Sequence, residues 1–334
     1  MSRENMGDRV LITGGGGFIG SHAAKALLAA GFEPIVFDNF CRGHRSLVRF
    51  GPLIEDDILD RPAVERAIEQ TRPIACIHFA AFAYVAESVE HPDLYYWNNV
   101  AGSLSLIRAL IGRGVDKIVF SSTCAIYGEP QRLPIGEETA KLPISPYGRS
   151  KLVVEQMLSD FDAAHGLKSV SLRYFNAAGA DPAGLIGEMH DPEPHIIPRT
   201  LMSAAGHIPN IQINGTDYPT RDGTAIRDYT HVADLADAHV LALRYLLDGG
   251  QTDAFNLGTG YGYSVRDIVD SAGRITGRTI PVVMGPRRAG DPAEVVADPA
   301  KARRILAFSP RYTELDQMMG HAWRWFETRG FRHG

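Results

Sequence analysis

A tyrosine and a lysine stand four residues apart in the stretch SPYGRSK, residues 145–151. Ser145 and the proline after it are typical of a helix start, because the hydroxyl caps a free N–H group and proline has no N–H group to satisfy. Positions i and i+4 lie on one face of a helix, so the phenol of Tyr147 and the ammonium of Lys151 should point the same way. Such a pair can move a proton, although a solvated Tyr–Lys pair has the same spacing.

The elements that must position this pair alternate along the first half of the chain. Short apolar segments predict buried strands, and amphipathic segments predict helices. The predicted strands are 9–13, 34–38, 73–80, 117–122 and 169–175, and the predicted helices are 21–31, 101–114 and 151–166. This alternation predicts an α/β fold with a Rossmann-like, doubly wound parallel sheet.

A glycine-rich turn follows the first predicted strand and opens the first predicted helix. Gly14, Gly17 and Gly20 have the spacing G-x-x-G-x-x-G. Glycines at these positions let backbone N–H groups approach a pyrophosphate, whose charge the helix N-terminus favours. Asp38 lies roughly 20 residues further on, where a carboxylate can bind the adenosine ribose hydroxyls. The pattern predicts dinucleotide binding.

The choice between NAD and NADP depends on residues at the end of the second predicted strand. The carboxylate of Asp38 repels a ribose 2′-phosphate and therefore favours NAD. Arg42 and Arg45 stand close enough in the sequence to be an argument for NADP. We predict NAD, with both arginines in an exposed loop.

Composition excludes several classes of protein. The formal net charge of −5 argues against a nucleic-acid surface, which needs a basic patch. No apolar run approaches the roughly 20 residues of a membrane span, and the N-terminus lacks a signal-peptide core, so we expect a cytoplasmic protein. Cys41, Cys76 and Cys124 and the scattered histidines have no metal-like spacing, so we predict neither disulfides nor a metal site.

After residue 176 the chain becomes rich in glycine, proline and acidic residues, which predicts long loops. We therefore predict two domains. Residues 1–176 form an NAD-binding Rossmann domain, to which segments at about 228–260 return. Residues 177–334 form mainly a smaller, irregular α/β substrate domain.

These motifs together resemble a known family. The glycine turn, FSST (120–123) and the Tyr-x-x-x-Lys pair stand in the order found in extended short-chain dehydrogenases/reductases, which carry a Ser/Thr–Tyr–Lys triad. Three later motifs resemble, more narrowly, the UDP-glucose (UDP-galactose) 4-epimerases of that family. They are YFNAAGA (174–180), GTDYPTRDGTAIRDYTHVADLADAH (215–239) and GPRRAGDPAEVVADPAKA (285–302). The resemblance covers nearly the whole chain.

The resemblance implies an isomerase of carbohydrate metabolism that uses NAD, takes a UDP-sugar as substrate and forms a homodimer. It makes Tyr147 the base, Lys151 its partner and Thr123 the hydroxyl that positions the sugar. The residues implied to bind NAD are Gly14, Gly17, Phe18, Ile19, Gly20, Asp38, Asn39, Asp57, Ile58, Phe79, Ala80, Ala81, Asn98, Tyr147, Lys151 and Phe175. Those implied to bind the UDP-sugar are Thr123, Tyr147, Asn176, His195, Arg227, Arg288, Asp291 and Val295.

Three residues depart from the commonest epimerase pattern. Ala83 stands where many relatives have a lysine, His195 where asparagine is frequent, and Val295 where some relatives carry a bulky tyrosine. The small Val295 leaves N-acetylhexosamines open as substrates. The segments FAYVAES (82–88) and SSTCAIYGEP (121–130) also resemble UDP-xylose/UDP-arabinose 4-epimerases, so a pentose substrate stays open as well.

A dehydrogenase that releases NADH is one alternative on this scaffold, and it stays open at this point. Two further kinds of protein share the scaffold. Nucleotide-sugar 4,6-dehydratases usually need an Asp-Glu pair after the Ser/Thr to expel water, and Cys124 and Ala125 stand there instead. A non-catalytic NAD-binding protein tends to lose the tyrosine or the lysine, and this chain keeps both. An epimerase is therefore favoured over these last two kinds of protein.

A 4-epimerase must invert a carbinol centre that has no activating group beside it. The implied route is oxidation to a 4-ketone, rotation of the ketone and return of the same hydride to the opposite face. A free tyrosine has a pKa near ~10 and is a poor base at neutral pH, so Tyr147 needs a shift of about three units, or roughly 4 kcal/mol. We expect Lys151 and the positive nicotinamide ring to supply it.

Overall fold

The computed structural model describes residues 7–287 and 290–329. Its strands are β1 (Arg9–Thr13), β2 (Glu33–Phe37), β3 (Leu53–Ile54), β4 (Ala75–His78), β5 (Lys117–Thr123), β6 (Lys168–Tyr174), β7 (Asn176–Ala178), β8 (Ile211–Asn214), β9 (Ile226–Arg227), β10 (Tyr229–His231), β11 (Asp253–Leu257), β12 (Tyr263–Ser264), β13 (Val282–Gly285) and β14 (Glu294–Val295). Its α-helices are α1 (Phe18–Ala29), α2 (Arg61–Thr71), α3 (Val85–Glu90), α4 (Pro92–Tyr95), α5 (Gly102–Gly112), α6 (Pro146–His165), α7 (Ile196–Ala204), α8 (Val232–Leu247), α9 (Val265–Thr276), α10 (Ala300–Leu306) and α11 (Leu315–Arg329).

A parallel sheet of seven strands forms the centre of the molecule. Its spatial order is β11-β6-β5-β4-β1-β2-β3, and every neighbouring pair is parallel. The run β3-β2-β1-β4-β5-β6 is the order of dinucleotide-binding folds, in which ligands bind outside the carboxyl ends of the strands. The predicted Rossmann-like α/β fold is confirmed.

Alternating side chains along β1 explain how both faces of the sheet are covered. Val10 and Ile12 are buried in one core with residues of α1 and α8, whereas Leu11 is buried in another with residues of α2, α5 and α6. Successive strand residues point to opposite faces, so an apolar run such as VLI fits a sheet with helices on both sides. The carboxyl edge is thereby left as the accessible side.

Two helices that matter for the site begin where glycine or serine ends the preceding loop. Gly17 is the N-cap of α1, so this helix begins three residues before the predicted start. Ser145 caps α6, with its Oγ accepting from N of Gly148 at 3.1 Å, and Pro146 takes the first helical position as predicted. Gly166 ends α6 in the left-handed conformation, with φ of +71°.

The later part of the chain forms small sheets and a third core. β7 pairs with β10, β9 lies between β12 and β14, and β8 pairs with β13. Helices α7, α9 and α11 surround a core that includes Leu201, Ile268 and Met318. The chain also returns to the main sheet, since β11 lies beside β6 and α8 packs against α1.

Within the described ranges, no helix combines the length and the apolar character that crossing a membrane requires.

Candidate active site

The predicted catalytic residues meet at the carboxyl ends of the central strands. Tyr147 and Lys151 lie one turn apart on α6, and Thr123 is the last residue of β5. The side chain of Thr123 lies close enough to the Tyr147 phenol to favour its ionised form. Lys151 is buried, and its Nζ donates to the backbone oxygen of Ser121 at 2.9 Å and lies 4.9 Å from the ring centroid of Phe120. The structure therefore brings all three predicted side chains to one place.

Burial works against ionisation of both members of the pair. Burial raises the pKa of Tyr147 to about 12, and the side chain of Thr123 opposes this only in part. Burial also lowers the pKa of Lys151 to about 7, against the attraction of Glu155. In the protein alone, burial outweighs the effect of Thr123 at the phenol, so lowering of its pKa by Lys151 and the nicotinamide ring together stays a prediction. For Tyr147 to act as a base, additional positive charge must lower the pKa of its phenol.

A buried ion pair fixes the inner side of α6. Glu155 lies one turn beyond Lys151, and Arg173 of β6 donates to both of its oxygens at 2.9 and 2.6 Å. Ser122 of β5 donates to the same carboxylate at 2.5 Å. Because a paired carboxylate and guanidinium hold a fixed geometry, this contact sets the height of α6 above the sheet.

A buried histidine links the end of β1 to the helices above it. His78 lies 2.6 Å through Nδ1 from Oγ1 of Thr13, and 2.8 Å through Nε2 from Oγ of Ser103. Burial lowers the pKa of His78 to about 3, which keeps the ring neutral. Ser103 Oγ donates onward to the backbone oxygen of Asn99 at 2.5 Å, so Nε2 of His78 is the atom that carries the proton.

The same network reaches the catalytic helix. The amide of Asn99 donates to Oγ of Ser150 at 3.1 Å, and Ser150 donates to the backbone oxygen of Tyr147 at 2.8 Å. Asn99 also holds the segment after β4 through two bonds to the backbone of Phe82, at 2.8 and 3.0 Å. Both asparagines 98 and 99 lie in the π-helical turn Tyr96–Ala101, a geometry that is frequent at functional sites.

The glycine turn is built for close backbone approach. Gly14 has φ of +75°, and a Cβ atom there would stand 2.5 Å from N of Ala80. A Cβ atom on Gly20 would stand 2.2 Å from the backbone oxygen of Gly14. The first turn of α1 has no side-chain cap and no acidic residue, so its N–H groups are available to an anion. Phe18 and Ile19 begin that helix.

Asp38 lies just beyond β2 and is held beside the glycine turn. Its two oxygens accept from the backbone N–H groups of Gly16 and Phe40, both at 2.8 Å. Burial raises the pKa of Asp38 despite these bonds. The two arginines that argued for NADP are already paired with carboxylates, Arg42 with Glu87 and Arg45 with Glu55.

The other residues predicted to bind NAD follow neighbouring strands. Asn39 donates to the Asp57 carboxylate at 2.9 Å beyond β2 and β3. Phe79, Ala80 and Ala81 follow β4, where the N–H groups of the first two bond to the oxygen of Thr13. Ile58 is 4% exposed and packs in the sheet core, so most of its surface faces the protein. Asn98 and Phe175 are also buried.

A second group of predicted residues lies beside the first, around β9 and β14. Arg227 pairs with Val295 in the parallel register of these strands, and its guanidinium is paired with the carboxylate of Asp291. Val295 packs in the same cluster as Phe175 and the 3₁₀ turn Cys124–Tyr127 that follows Thr123. Asn176 begins β7, with its amide donating to the Asp228 backbone oxygen at 3.1 Å.

The remaining two predicted residues have different positions. His195 is the N-cap residue of α7, and its Nδ1 contacts the buried carboxylate of Glu188. Arg288 lies outside the described residues.

Sequence reasoning missed the supports of the site. Glu155 was visible as the third member of a helical face with Tyr147 and Lys151, at i+8 and i+4. Arg173 stood out as a charge inside an otherwise apolar strand. Asn99 and His78 carried no comparable signal, because their partners are distant in the sequence.

Comparison with known proteins agrees with this geometry. Residues 10–258 match the NAD dependent epimerase/dehydratase family. UDP-glucose 4-epimerase of Lacticaseibacillus casei is 48% identical over 322 residues, which are 95% of this chain and 96% of that protein. The crystal structure of UDP-glucose 4-epimerase from Brucella ovis in complex with NAD is 53% identical, with a TM-score of 0.94 over 96% of this chain and 98% of that one.

A further similar structure holds a different sugar. The UDP-glucose-4-epimerase from Stenotrophomonas maltophila, with bound NAD and formylated UDP-arabinopyranose, is 39% identical, with a TM-score of 0.93 over 96% of this chain and 98% of that one. The similarities extend over nearly the full length of the chain. They agree with the fold, the glycine turn and the Thr–Tyr–Lys arrangement described above. The chain belongs to the NAD dependent epimerase/dehydratase family.

Proposed function

We propose that the protein interconverts UDP-glucose and UDP-galactose by transient oxidation at C4 of the sugar, through a 4-keto intermediate and hydride return to the opposite face. It is then an NAD-dependent isomerase. One observation carries the proposal, the meeting of Thr123, Tyr147 and the buried Lys151 beside a glycine turn. The similarity to UDP-glucose 4-epimerases at 48% identity supports the same sugar pair.

The glycine turn and its surroundings fit NAD. A Cβ atom at Gly14 would clash with the backbone of Ala80 and one at Gly20 with the backbone oxygen of Gly14, so this tight turn needs glycine at both positions. The uncapped first turn of α1 offers its N–H groups to a pyrophosphate. Asp38 lies where it can accept from the ribose hydroxyls, and both nearby arginines are paired with carboxylates. Bound NAD would supply the hydride acceptor and a positively charged nicotinamide ring.

We assign the proton transfers to Tyr147. It takes the proton of the sugar 4-hydroxyl and returns it after the sugar has turned, while Thr123 orients the reacting oxygen. In the protein alone, burial is the largest influence on both groups, raising the pKa of Tyr147 to about 12 and lowering that of Lys151 to about 7. The protein by itself therefore keeps the phenol protonated, and we propose that Tyr147 becomes a base only in the cofactor-loaded enzyme.

The UDP portion would lie across β9 and β14. In the protein alone Arg227 is paired with Asp291, and we propose that the diphosphate recruits this guanidinium as a bidentate donor. Asp291, Asn176 and His195 would then contact the nucleotide-sugar. The same role for Arg288, outside the described residues, stays a prediction.

The proposal includes the division of the chain into two domains, its oligomeric state and its location. Residues 1–176, with segments at about 228–260, would bind NAD, and residues 177–334 would bind mainly the UDP-sugar. A homodimer and a cytoplasmic location belong to the proposal as predictions from the sequence.

Two other sugar classes are the nearest alternatives. Val295 is small and partly buried next to the turn that follows Thr123, so an N-acetylhexosamine stays open as a substrate. A UDP-pentose is the other alternative, and the similar Stenotrophomonas structure contains a pentose derivative. A dehydratase or a non-catalytic NAD-binding protein is less well supported, because Cys124 and Ala125 offer no acid–base pair and the triad is intact.

A parallel assay tests the proposal. The purified protein is incubated with UDP-galactose, UDP-N-acetylglucosamine and UDP-xylose, and the sugars are followed by NMR. We expect UDP-glucose to form from UDP-galactose faster than either other sugar is converted. A 4-keto-6-deoxy product would indicate a dehydratase, and bound NAD without any turnover would indicate a non-catalytic protein.

A further inference from the structure

A second group of chemistry-bearing side chains lies in the loop between β7 and α7. Its members are Glu188, His190, Glu193 and His195, in the sequence GEMHDPEPH (187–195). One ligand atom from each residue lies within 4.8 Å of those of the other three. The sequence predicted no metal site, since the spacing E-x-H-x-x-E-x-H matches none of the familiar ligand patterns.

We propose that Glu188, His190, Glu193 and His195 bind one divalent transition-metal ion, with Zn²⁺ the best match. Two imidazole nitrogens and two carboxylate oxygens are donors that Zn²⁺ accepts in four-coordinate sites. Two carboxylates also neutralise a divalent cation with both histidines uncharged. This donor set distinguishes the site from Ca²⁺ or Mg²⁺ sites, which take oxygen ligands.

The distances between the ligand atoms fit a tetrahedral ion. Metal–ligand bonds of 2.0–2.1 Å place the ligand atoms of a regular tetrahedron about 3.4 Å apart. Nδ1 of His190 lies 3.1 Å from Oε1 of Glu188 and 3.5 Å from Oε2 of Glu193. Nδ1 of His195 lies 3.6 Å from Oε1 of Glu193 and in closer contact with Glu188. The Glu188–His195 contact is closer than two ligands of one ion stand, so these two side chains would have to rotate apart to coordinate it.

The burial of the two carboxylates favours the binding of a cation in this cluster. The side chains of Glu188 and Glu193 are 4% and 6% exposed, so both carboxylates are almost removed from water. Buried charges are normally paired or bound to metals. Nδ1 of His190 is itself buried and is not aligned for a hydrogen bond, although it faces both carboxylates. A metal ion at the centre would occupy that lone pair.

The surroundings position the ligands from several parts of the chain. Trp325 of α11 donates to the backbone oxygen of Glu188 at 3.0 Å, and Nε2 of His44 lies 3.0 Å from the backbone oxygen of Met189. The ring of Tyr84 packs edge-on against His190. A bound ion would therefore hold the loop 187–195 against Tyr84 and His44 on one side and against the start of α7 on the other. Coordination through Nδ1 leaves Nε2 of His195 for the proposed sugar contact.

Metal titration of the full-length protein tests this site. The protein is treated with EDTA, exchanged into metal-free buffer and titrated with Zn²⁺ by calorimetry, with Co²⁺ as a second probe whose visible absorption reports tetrahedral geometry. We expect one ion per chain. His190→Asn and Glu193→Gln should each weaken Zn²⁺ binding at least about tenfold. His91→Asn, which changes an exposed histidine outside the cluster, should leave it unchanged.

Two results would overturn the proposal. One is a native protein that binds no Zn²⁺ in this titration, and the other is equal affinity in native, H190N and E193Q proteins. Circular dichroism verifies that each variant is folded. Should one variant fail to fold, the other decides the question, together with the Zn²⁺-dependent rise in Tm expected for the native protein and for H91N. The readout is binding, so it is independent of epimerase activity.

Discussion

Replacing Glu155 by glutamine tests whether the buried ion pair holds the catalytic helix against the sheet. The carboxylate of Glu155 accepts two hydrogen bonds from Arg173 and one from Ser122. The two charged side chains are 9% and 5% exposed. Glutamine keeps the shape of the side chain but removes the charge that compensates the guanidinium, and its NH₂ group turns one acceptor into a donor.

Breaking a buried pair by removing one partner costs about 3–5 kcal/mol, because the other charge is left uncompensated. The amide oxygen of glutamine can still accept one of the bonds, and Tyr127 remains a neighbour of Arg173 at 2.9 Å. We therefore expect Glu155→Gln to lower the free energy of unfolding by about 3 kcal/mol, at the lower end of that range.

Urea unfolding of the NAD-loaded protein, followed by circular dichroism, measures this loss. Asp160→Asn makes a similar change at an exposed position of the same helix and should stay within about 0.5 kcal/mol of the native protein. The double variant Glu155→Met/Arg173→Met should be more stable than Glu155→Met alone, since it leaves no unpaired charge. A loss in E155Q no larger than that in D160N would refute the reasoning.

Three further predictions concern the proposed site. Tyr147→Phe should lower kcat by about 10²–10⁴-fold with NAD still bound, and near-normal turnover would exclude Tyr147 as the base. Gly20→Ala should lose bound NAD, measured by absorbance after purification, because its Cβ atom would stand 2.2 Å from the backbone oxygen of Gly14. Gly136→Ala is the control, since a Cβ atom there meets open space. Equal NAD content in the two variants would contradict the assignment of the glycine turn to NAD binding. Burial lowers the pKa of Lys151 to about 7, below its unfolded value of 10.5. Between these two pH values the unfolded protein therefore binds more protons than the folded protein, so the free energy of unfolding rises with pH across that range. In the cofactor-free protein Lys151→Met should therefore gain stability relative to native at pH about 6 and lose that advantage toward pH about 10, in paired urea titrations; a difference independent of pH would contradict the lowered pKa.

Local patterns made much of the fold predictable. The apolar runs that became β1, β2, β4, β5 and β6 were recognised because strands covered on both faces are apolar throughout. The helix start at Ser145 followed from serine before proline, and the cap is present in the structure. These features depend on residues that are neighbours in the sequence.

What was missed depends on residues that are distant in the sequence. Neither β3 nor α2 was predicted, because a two-residue strand and a helix of low apolar content give a weak pattern. The link from Thr13 through His78 to Ser103 needs strand order before it can be seen. The opposing effects of burial on the pKa values of Tyr147 and Lys151 depend on tertiary packing, which spacing does not report.

The central claim is that one hydride leaves C4 of the sugar and returns to the same carbon on the opposite face. UDP-galactose deuterated at C4 tests it most directly, with the protein as purified, no added NAD and the products followed by NMR and mass spectrometry. The proposed function predicts UDP-glucose that retains the deuterium at C4, with no net accumulation of NADH. UDP-glucose that has lost the deuterium to solvent, or NADH released in proportion to the sugar consumed, would contradict it.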